Sequence, residues 1–239
     1  KLLGDHTEDY FIGLFIGRNA RRKQVGDLLM SWKLFLDELE KKHGHKKAIC
    51  VLHCDPLDPE GSNLYKVVEM LGIKDQVFFS TNRLDFEQLN VIHNICDFGI
   101  NISSAEGFGL PILESLMCGK PVVALKTGGL TRQVLNPYTG EENGVAIEPE
   151  AMILTGSQLV PYIYDSYASH KTISSAIMKL YEYGTKKRKQ IGERARQYVL
   201  KEYDINQMIQ RWDEVLIDRI ETWRTNKEKI YKSWEMREI

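Results

Sequence analysis

Short apolar runs alternate along this chain with longer stretches in which apolar positions recur every three or four residues. YFIGLFIG (10–17) is the first run and reads as a buried strand. Val25, Leu28, Leu29, Trp32, Phe35, Leu36 and Leu39 follow at helical spacing, and His43-Gly44-His45 stops that helix. AICVLH (48–53) is a second buried strand. A polar, turn-rich segment, DPLDPEGSN (55–63), leads to a helix on Leu64, Val67, Val68 and Leu71 that Gly72 ends. Strands are predicted at 77–79, 97–103 and 121–125, with a weaker one at 144–147. Between them, Phe86, Leu89, Ile92 and Cys96 mark one helix, and Pro111 opens another that ends near Gly119.

Strands alternating with helices across short links predict an α/β fold with a doubly wound parallel sheet. Such sheets bind ligands outside the carboxyl ends of their strands. The loops to inspect are therefore 17–24, 80–85, 103–110 and 126–131. From about residue 150 the pattern changes. Residues 150–170 show no clean period and read as an irregular insertion or a short helical excursion. Three helical stretches follow, at roughly 171–183, 186–202 and 205–235.

Composition narrows the function classes. At 239 residues the chain makes one large domain or two small ones, and 43% hydrophobic residues suffice for a sizeable core. The 32 Lys and Arg balance the 33 Asp and Glu, which gives no support to nucleic acid or a membrane surface as the main partner. No apolar run reaches transmembrane length and no signal peptide opens the sequence. Cys50, Cys54, Cys96 and Cys118 all lie in apolar contexts, so reduced, buried thiols and a cytoplasmic protein are expected.

Two of the loops carry candidate chemistry. The first strand ends in GRNARRKQ, where Arg18 and Lys23 flank a short loop that leads into a helix. A helix amino terminus beside two cations favours phosphate. The alternative is a solvated basic loop, since neither GxGxxG nor GxxxxGK[ST] is present. In SSAEGFGLPILESLMCGKPVV (103–123), Gly107 and Gly109 leave the backbone bare, Pro111 fits a first helical turn, and Glu114 lies one turn inside the helix. A carboxylate there suits sugar hydroxyls; the alternative is a capped helix with glutamates in its first turn.

These strings together closely resemble the donor domain of retaining glycosyltransferases of the GT-B fold. The group is the large family that includes glycogen synthases of bacterial type, sucrose synthases and phosphatidylinositol mannosyltransferases. Its signature is E-x7-E, matched by Glu106 and Glu114 with G-F-G-L-P between them. The resemblance covers residues 10–148 well and 171–220 loosely. It implies a Rossmann-like domain over 10–203, preceded by a linker at 1–9 and followed by a helical tail, 204–239, which would pack on an amino-terminal acceptor domain or partner subunit. It implies that Arg18 and Lys23 bind the diphosphate of a UDP-, GDP- or ADP-sugar. Gly107, Phe108, Gly109 and Leu110 would present amides to it, Glu114 would bind ribose, and Arg83 would lie by the base. Glu106 would contact hydroxyls of the donor sugar near the reacting carbon, as the catalytic residue of this half. No cofactor or metal is expected, because the family generally needs no divalent cation and no DxD motif is present. A lipid acceptor would make the protein peripheral at a membrane.

Two departures matter. Thr131 and Arg132 follow the GG of TGG where the family often has proline and glutamate. The family enzyme is also about twice this length, so the chain is expected to be a donor-binding half. A glycosyl transfer with retention is the reading; the alternatives are a non-catalytic nucleotide-sugar-binding subunit and a nucleotide-sugar epimerase. Other signals carry less. Asp97-Phe98-Gly99 lacks the companions of a kinase motif. Cys50, His53, Cys54 and Asp55 read as core packing rather than metal ligation, with the cysteines on one face and His53 on the other. His6, His43, His45 and His93 are expected at the surface or at helix ends, and KKRK (186–189) as a solvated helix start.

Overall fold

The computed structural model describes residues 10–231, with side chains as far as Asn226. The expected linker 1–9, His6 and the last residues of the expected tail, 232–239, lie outside the described residues. The chain divides into two compact units, Lys1–Val199 and Leu200–Ile239.

In the first unit a six-stranded sheet runs in the order β3-β2-β1-β4-β5-β6, with β1 Phe11–Ile16, β2 Ala48–His53, β3 Val77–Ser80, β4 Phe98–Asn101, β5 Val122–Leu125 and β6 Gly144–Ile147. Every pairing is parallel, from Phe11 opposite Ala48 to Leu125 opposite Ile147. The chain starts in the middle and winds outward first to one edge and then to the other. The two halves part between β1 and β4, which leaves a crevice at the carboxyl ends of those strands.

Period-two alternation sorts the strand residues between two helical layers. Phe11 and Phe15 join one core with α1 (Val25–His43), α2 (Leu64–Leu71) and α6 (His170–Glu182), whereas Ile12, Leu14, Ile49 and Val51 pack with Ile92 and Cys96 of α3 (Phe86–Ile95) and the turn after it. All seven apolar positions that predicted α1 are buried. The first core centres on aromatic rings: Phe11 stacks on Phe98 at 4.8 Å, Trp32 meets Phe35 at 5.0 Å, and Tyr181 of α6 meets Phe11 edge-on at 5.4 Å. Truncating Trp32 there would cost about 3–5 kcal/mol. Gly13 makes room, because a Cβ on it would stand 2.7 Å from the Phe98 ring. Burial, helped by Asp55 and Asp58, pushes the Cys54 thiol up to about 12; burial and Asp97 take Cys96 to about 12. Such thiols stay protonated and unreactive at neutral pH.

Four expectations need correction. Residues 150–170 are not irregular throughout, nor a helical excursion: β7 (Ala151–Leu154) and β8 (Tyr164–Tyr167) form an antiparallel hairpin, and the stretch 155–163 that joins them has no regular structure. All four β7 residues are exposed, so no buried face imposes an alternation that a sequence could display. Phe86 does not hold α3 to the core but is 89% exposed, whereas His93, which does lie in the last turn of α3, is buried rather than at the surface. Arg188 of KKRK is not solvated: it lies over the Phe11 ring at 4.9 Å and reaches Asp97 at 3.4 Å. Asp97 itself accepts from the Ile12 amide at 2.8 Å, a structural duty for the DFG-like string.

The remaining helices are α4 (Leu110–Met117), α5 (Leu130–Val134), α7 (Gly184–Glu202) and α8 (Ile205–Tyr231). In the second unit, α8 carries exposed Trp212 and Trp223 among further exposed apolar residues. No helix among the described residues is long and apolar enough to cross a membrane.

Candidate functional site

After β1 the chain makes a 3-10 turn, Arg21–Lys23, and enters α1 through Gln24. Gln24 has φ 52° and is the one non-glycine residue with positive φ among the described residues. Left-handed backbone is unfavourable for a side chain of this kind and is kept where the surroundings fix it. Here Gln24 is buried, and its side-chain amide reaches the Ser166 carbonyl of β8 at 3.4 Å. The turn aims Lys23 into the crevice, towards the loop that follows β4.

That loop is stitched to the first. The Ser104 amide donates to the Arg22 carbonyl at 2.7 Å, and the Arg22 guanidinium donates to the Ala105 carbonyl at 2.9 Å. Lys23 hydrogen-bonds to Glu106, and the two side chains are only 9% and 10% exposed. Arg22 stands 3.6 Å from the same carboxylate. Burial pushes the Glu106 carboxyl up, but the Lys23 hydrogen bond and charge, the Arg22 charge and a bond from Asn101 outweigh it and hold Glu106 below its ordinary value. Glu106 is thus an anion with three polar partners.

The glycines beyond Glu106 serve two purposes. Gly109, with φ 88°, turns the chain into α4. Gly128 and Gly129 let a second loop press against the first: a Cβ on Gly128 would lie 1.8 Å from the Glu106 carbonyl oxygen. The Gly129 amide donates to the Gly107 carbonyl at 3.1 Å, and buried Gln133 donates to the Phe108 carbonyl at 2.6 Å. The loop's carbonyls are thereby turned towards α5. Gly107, Phe108 and Leu110 remain exposed while Gly109 is buried. Arg132, in place of the proline and glutamate pair, donates to the Tyr138 hydroxyl at 3.2 Å.

Glu114 lies on α4 with its side chain 40% exposed and 3.5 Å from His93 Nε2. Arg18 stands apart from the Lys23–Glu106 pair. Its guanidinium, 58% exposed, binds Asp58 at 2.7 Å and Glu60 at 3.3 Å, and its hydrogen bond holds the Asp58 carboxyl below the usual value. Arg83 lines a 380 Å³ cavity with His53, Asp55 and Ser80, past the ends of β2 and β3. His53 Nδ1 lies 2.9 Å from Ser80 Oγ, and burial lowers its pKa. Among the described residues no group of three or more His, Cys, Asp or Glu could hold a metal ion.

The structure therefore brings Lys23 and Glu106 together and separates Arg18 from them. Sequence reasoning missed Arg22, Asn101, Gln133 and His93. Arg22 stood beside a named residue. Asn101 ends the strand that leads into the Glu106 loop, Gln133 and His93 lie more than twenty residues from their partners, and no motif announced them.

The sequence profile of the family described as "Glycosyl transferases group 1" matches residues 4–154. The chain belongs to that family. Among curated relatives of this group 1 glycosyltransferase chain, an uncharacterized glycosyltransferase of Methanocaldococcus jannaschii is 30% identical over 134 residues, 55% of this chain and 33% of the relative. D-inositol 3-phosphate glycosyltransferase 2 of Catenulispora acidiphila is 30% identical over 138 residues, 55% of this chain and 31% of its own. The chain thus spans about a third of these relatives. The C-terminal domain of a group 1 glycosyl transferase protein from Francisella tularensis superposes with a TM-score of 0.60 at 23% identity, covering 82% of this chain and 87% of that one. The Anabaena HepE protein, solved in complex with UDP, gives 0.66 at 20% identity, covering 89% and 50%. These likenesses establish the Rossmann-like fold of a GT-B C-terminal domain.

Proposed function

We propose that this chain is the donor-binding domain of a retaining glycosyltransferase and binds a nucleoside diphosphate sugar without a metal ion. The observation that carries the reading is the buried Lys23–Glu106 pair, set with Arg22 at the crevice between β1 and β4. The HepE protein was solved with UDP-glucose as well as UDP, which supports a nucleotide sugar as the ligand class. A diphosphate offers Lys23 a stronger partner than one carboxylate does. When it takes Lys23, Glu106 is released to accept hydrogen bonds from the hydroxyls of the sugar beside it. The departing nucleoside diphosphate gathers negative charge, which Lys23, Arg22 and the first turn of α4 stabilise. Arg18 contributes only if the phosphate draws it away from Asp58 and Glu60. Glu114 serves the ribose diol, and the cavity at Arg83 the base. Because the chain spans about a third of its curated relatives, the acceptor and the completed transfer belong to a second domain or subunit, on which α8 would pack.

The test is a thermal-shift screen of UDP-, GDP- and ADP-sugars. Ligand at a hundredfold excess over its dissociation constant stabilises the native state by about 2.7 kcal/mol. One of the three should raise the melting temperature of the chain and fail to do so for Lys23→Ala. No shift with any of them defeats the donor-domain reading.

A further inference from the structure

One polar cluster beside the site is not used by the chemistry above. His93, on α3, is 3% exposed and faces α4. Its Nδ1 lies 3.1 Å from Ser115 Oγ, which also lies 3.0 Å from the Pro111 carbonyl oxygen one turn earlier in α4. Its Nε2 is buried and has no hydrogen-bond partner at bonding distance. The gap next to the ring, lined by Leu14, Ile16, Ile100, Asn101 and Ile112, has no room for a water molecule. A buried ring nitrogen left without a partner is costly, so the polar atom facing it matters. That atom is Glu114 Oε2 at 3.5 Å.

Glu114 is tied to the ring through its own helix, since Ser115 is the next residue. The Ser115 hydroxyl has a single proton and two acceptors in reach, the Pro111 carbonyl and Nδ1. The Glu114 carboxylate facing Nε2 favours the ring proton on that nitrogen, which leaves Nδ1 to accept from Ser115. At 3.5 Å the carboxylate stands just beyond the length of a formed hydrogen bond. It is 40% exposed, so it can accept from His93 on one side and still meet hydroxyls from the crevice.

We propose that His93 is a positioning residue for Glu114: a Ser115–His93–Glu114 relay fixes the carboxylate in the orientation that receives both hydroxyls of the donor's ribose. The inference rests on the donor-site reading above. It assigns a function to a histidine that would otherwise be core packing. The relay also gives a reason for a serine at 115, where the helix alone would accept an apolar residue.

Calorimetry with UDP, GDP and ADP, and with their 2′,3′-dideoxy counterparts, tests it on the full chain. In His93→Phe, the diphosphate that binds best should weaken about tenfold, while its dideoxy counterpart should bind as it does to the unaltered chain. Ser115→Ala, a smaller change that frees Nδ1 to take the proton, should show the same ribose-dependent loss at about threefold and serves if the Phe variant does not fold. In a Glu114→Ala background both further losses should vanish. Equal losses for the ribose and dideoxy ligands, or losses that persist without Glu114, overturn the relay and leave the donor site standing. No binding of any diphosphate to the unaltered chain overturns both.

Discussion

Lys23 and Glu106 are each about nine-tenths buried and paired, so a ligand that takes one must leave the other satisfied. Removing one partner of such a pair leaves a buried charge uncompensated, at about 3–5 kcal/mol. This shapes how the two glutamates of the E-x7-E string should be told apart. Glu106→Gln keeps the volume and removes the charge. It should leave free nucleoside diphosphate as tightly bound as before or tighter, because Lys23 is released to the phosphates, and it should weaken the intact nucleotide sugar. Glu114→Ala should weaken both ligands alike, by about 1.5–3 kcal/mol, since both carry the ribose. Calorimetry of both variants with both ligands reads this directly. Equal losses with and without the sugar for Glu106→Gln would remove its assigned role.

At the scale of elements, the site is two loops held face to face. The loop after β4 is fixed by Arg22 on one side and by Gly129 and Gln133 on the other, and the Ser166 amide of the hairpin donates to its Ser104 carbonyl at 2.8 Å. The contact between Gly128 and the Glu106 carbonyl is too close for any side chain. Gly128→Ala should therefore force the loops apart, lower stability by about 3 kcal/mol and weaken nucleotide binding, although residue 128 itself is not proposed to touch ligand. Urea denaturation and calorimetry on that variant check it. A variant with unaltered stability and binding would mean that the loops do not need this approach.

On the scale of the molecule, a parallel sheet whose strand order reverses at β1 and β4 directs two loops to one crevice, and the cations there come from the chain itself. Charge neutralisation by Lys23 and Arg22 should make binding independent of divalent ions. Nucleotide affinity is expected to survive excess EDTA unchanged in calorimetry; binding abolished by EDTA and restored by magnesium would contradict it. The purified chain, given donor and candidate acceptors, should transfer little or no sugar, and efficient turnover in a product assay would show that no second domain is needed.

Local pattern determined much of this protein. Buried strands need continuous apolar runs and amphipathic helices need a 3.6-residue period, so the six sheet strands and α1 were legible, and Gly109, Pro111 and the glutamates marked the loop that matters. The hairpin was not, because β7 is exposed on both faces and leaves no alternation, and the buried position of β8 is a serine. Neither was the exposure of Phe86, since Phe86 and His93, seven residues apart, share a helix face, and only the fold covers His93 while leaving the first residue of α3 open. Above all, the sequence shows charges but not their partners. Arg18 and Lys23 are five residues apart and look alike, yet the fold gives Arg18 to Asp58 and Glu60 and gives Lys23 to Glu106. Which cation faces the crevice depends on where the 3-10 turn and Gln24 point the chain, and that is set by contacts with residues 40 to 142 positions away, which no local spacing encodes.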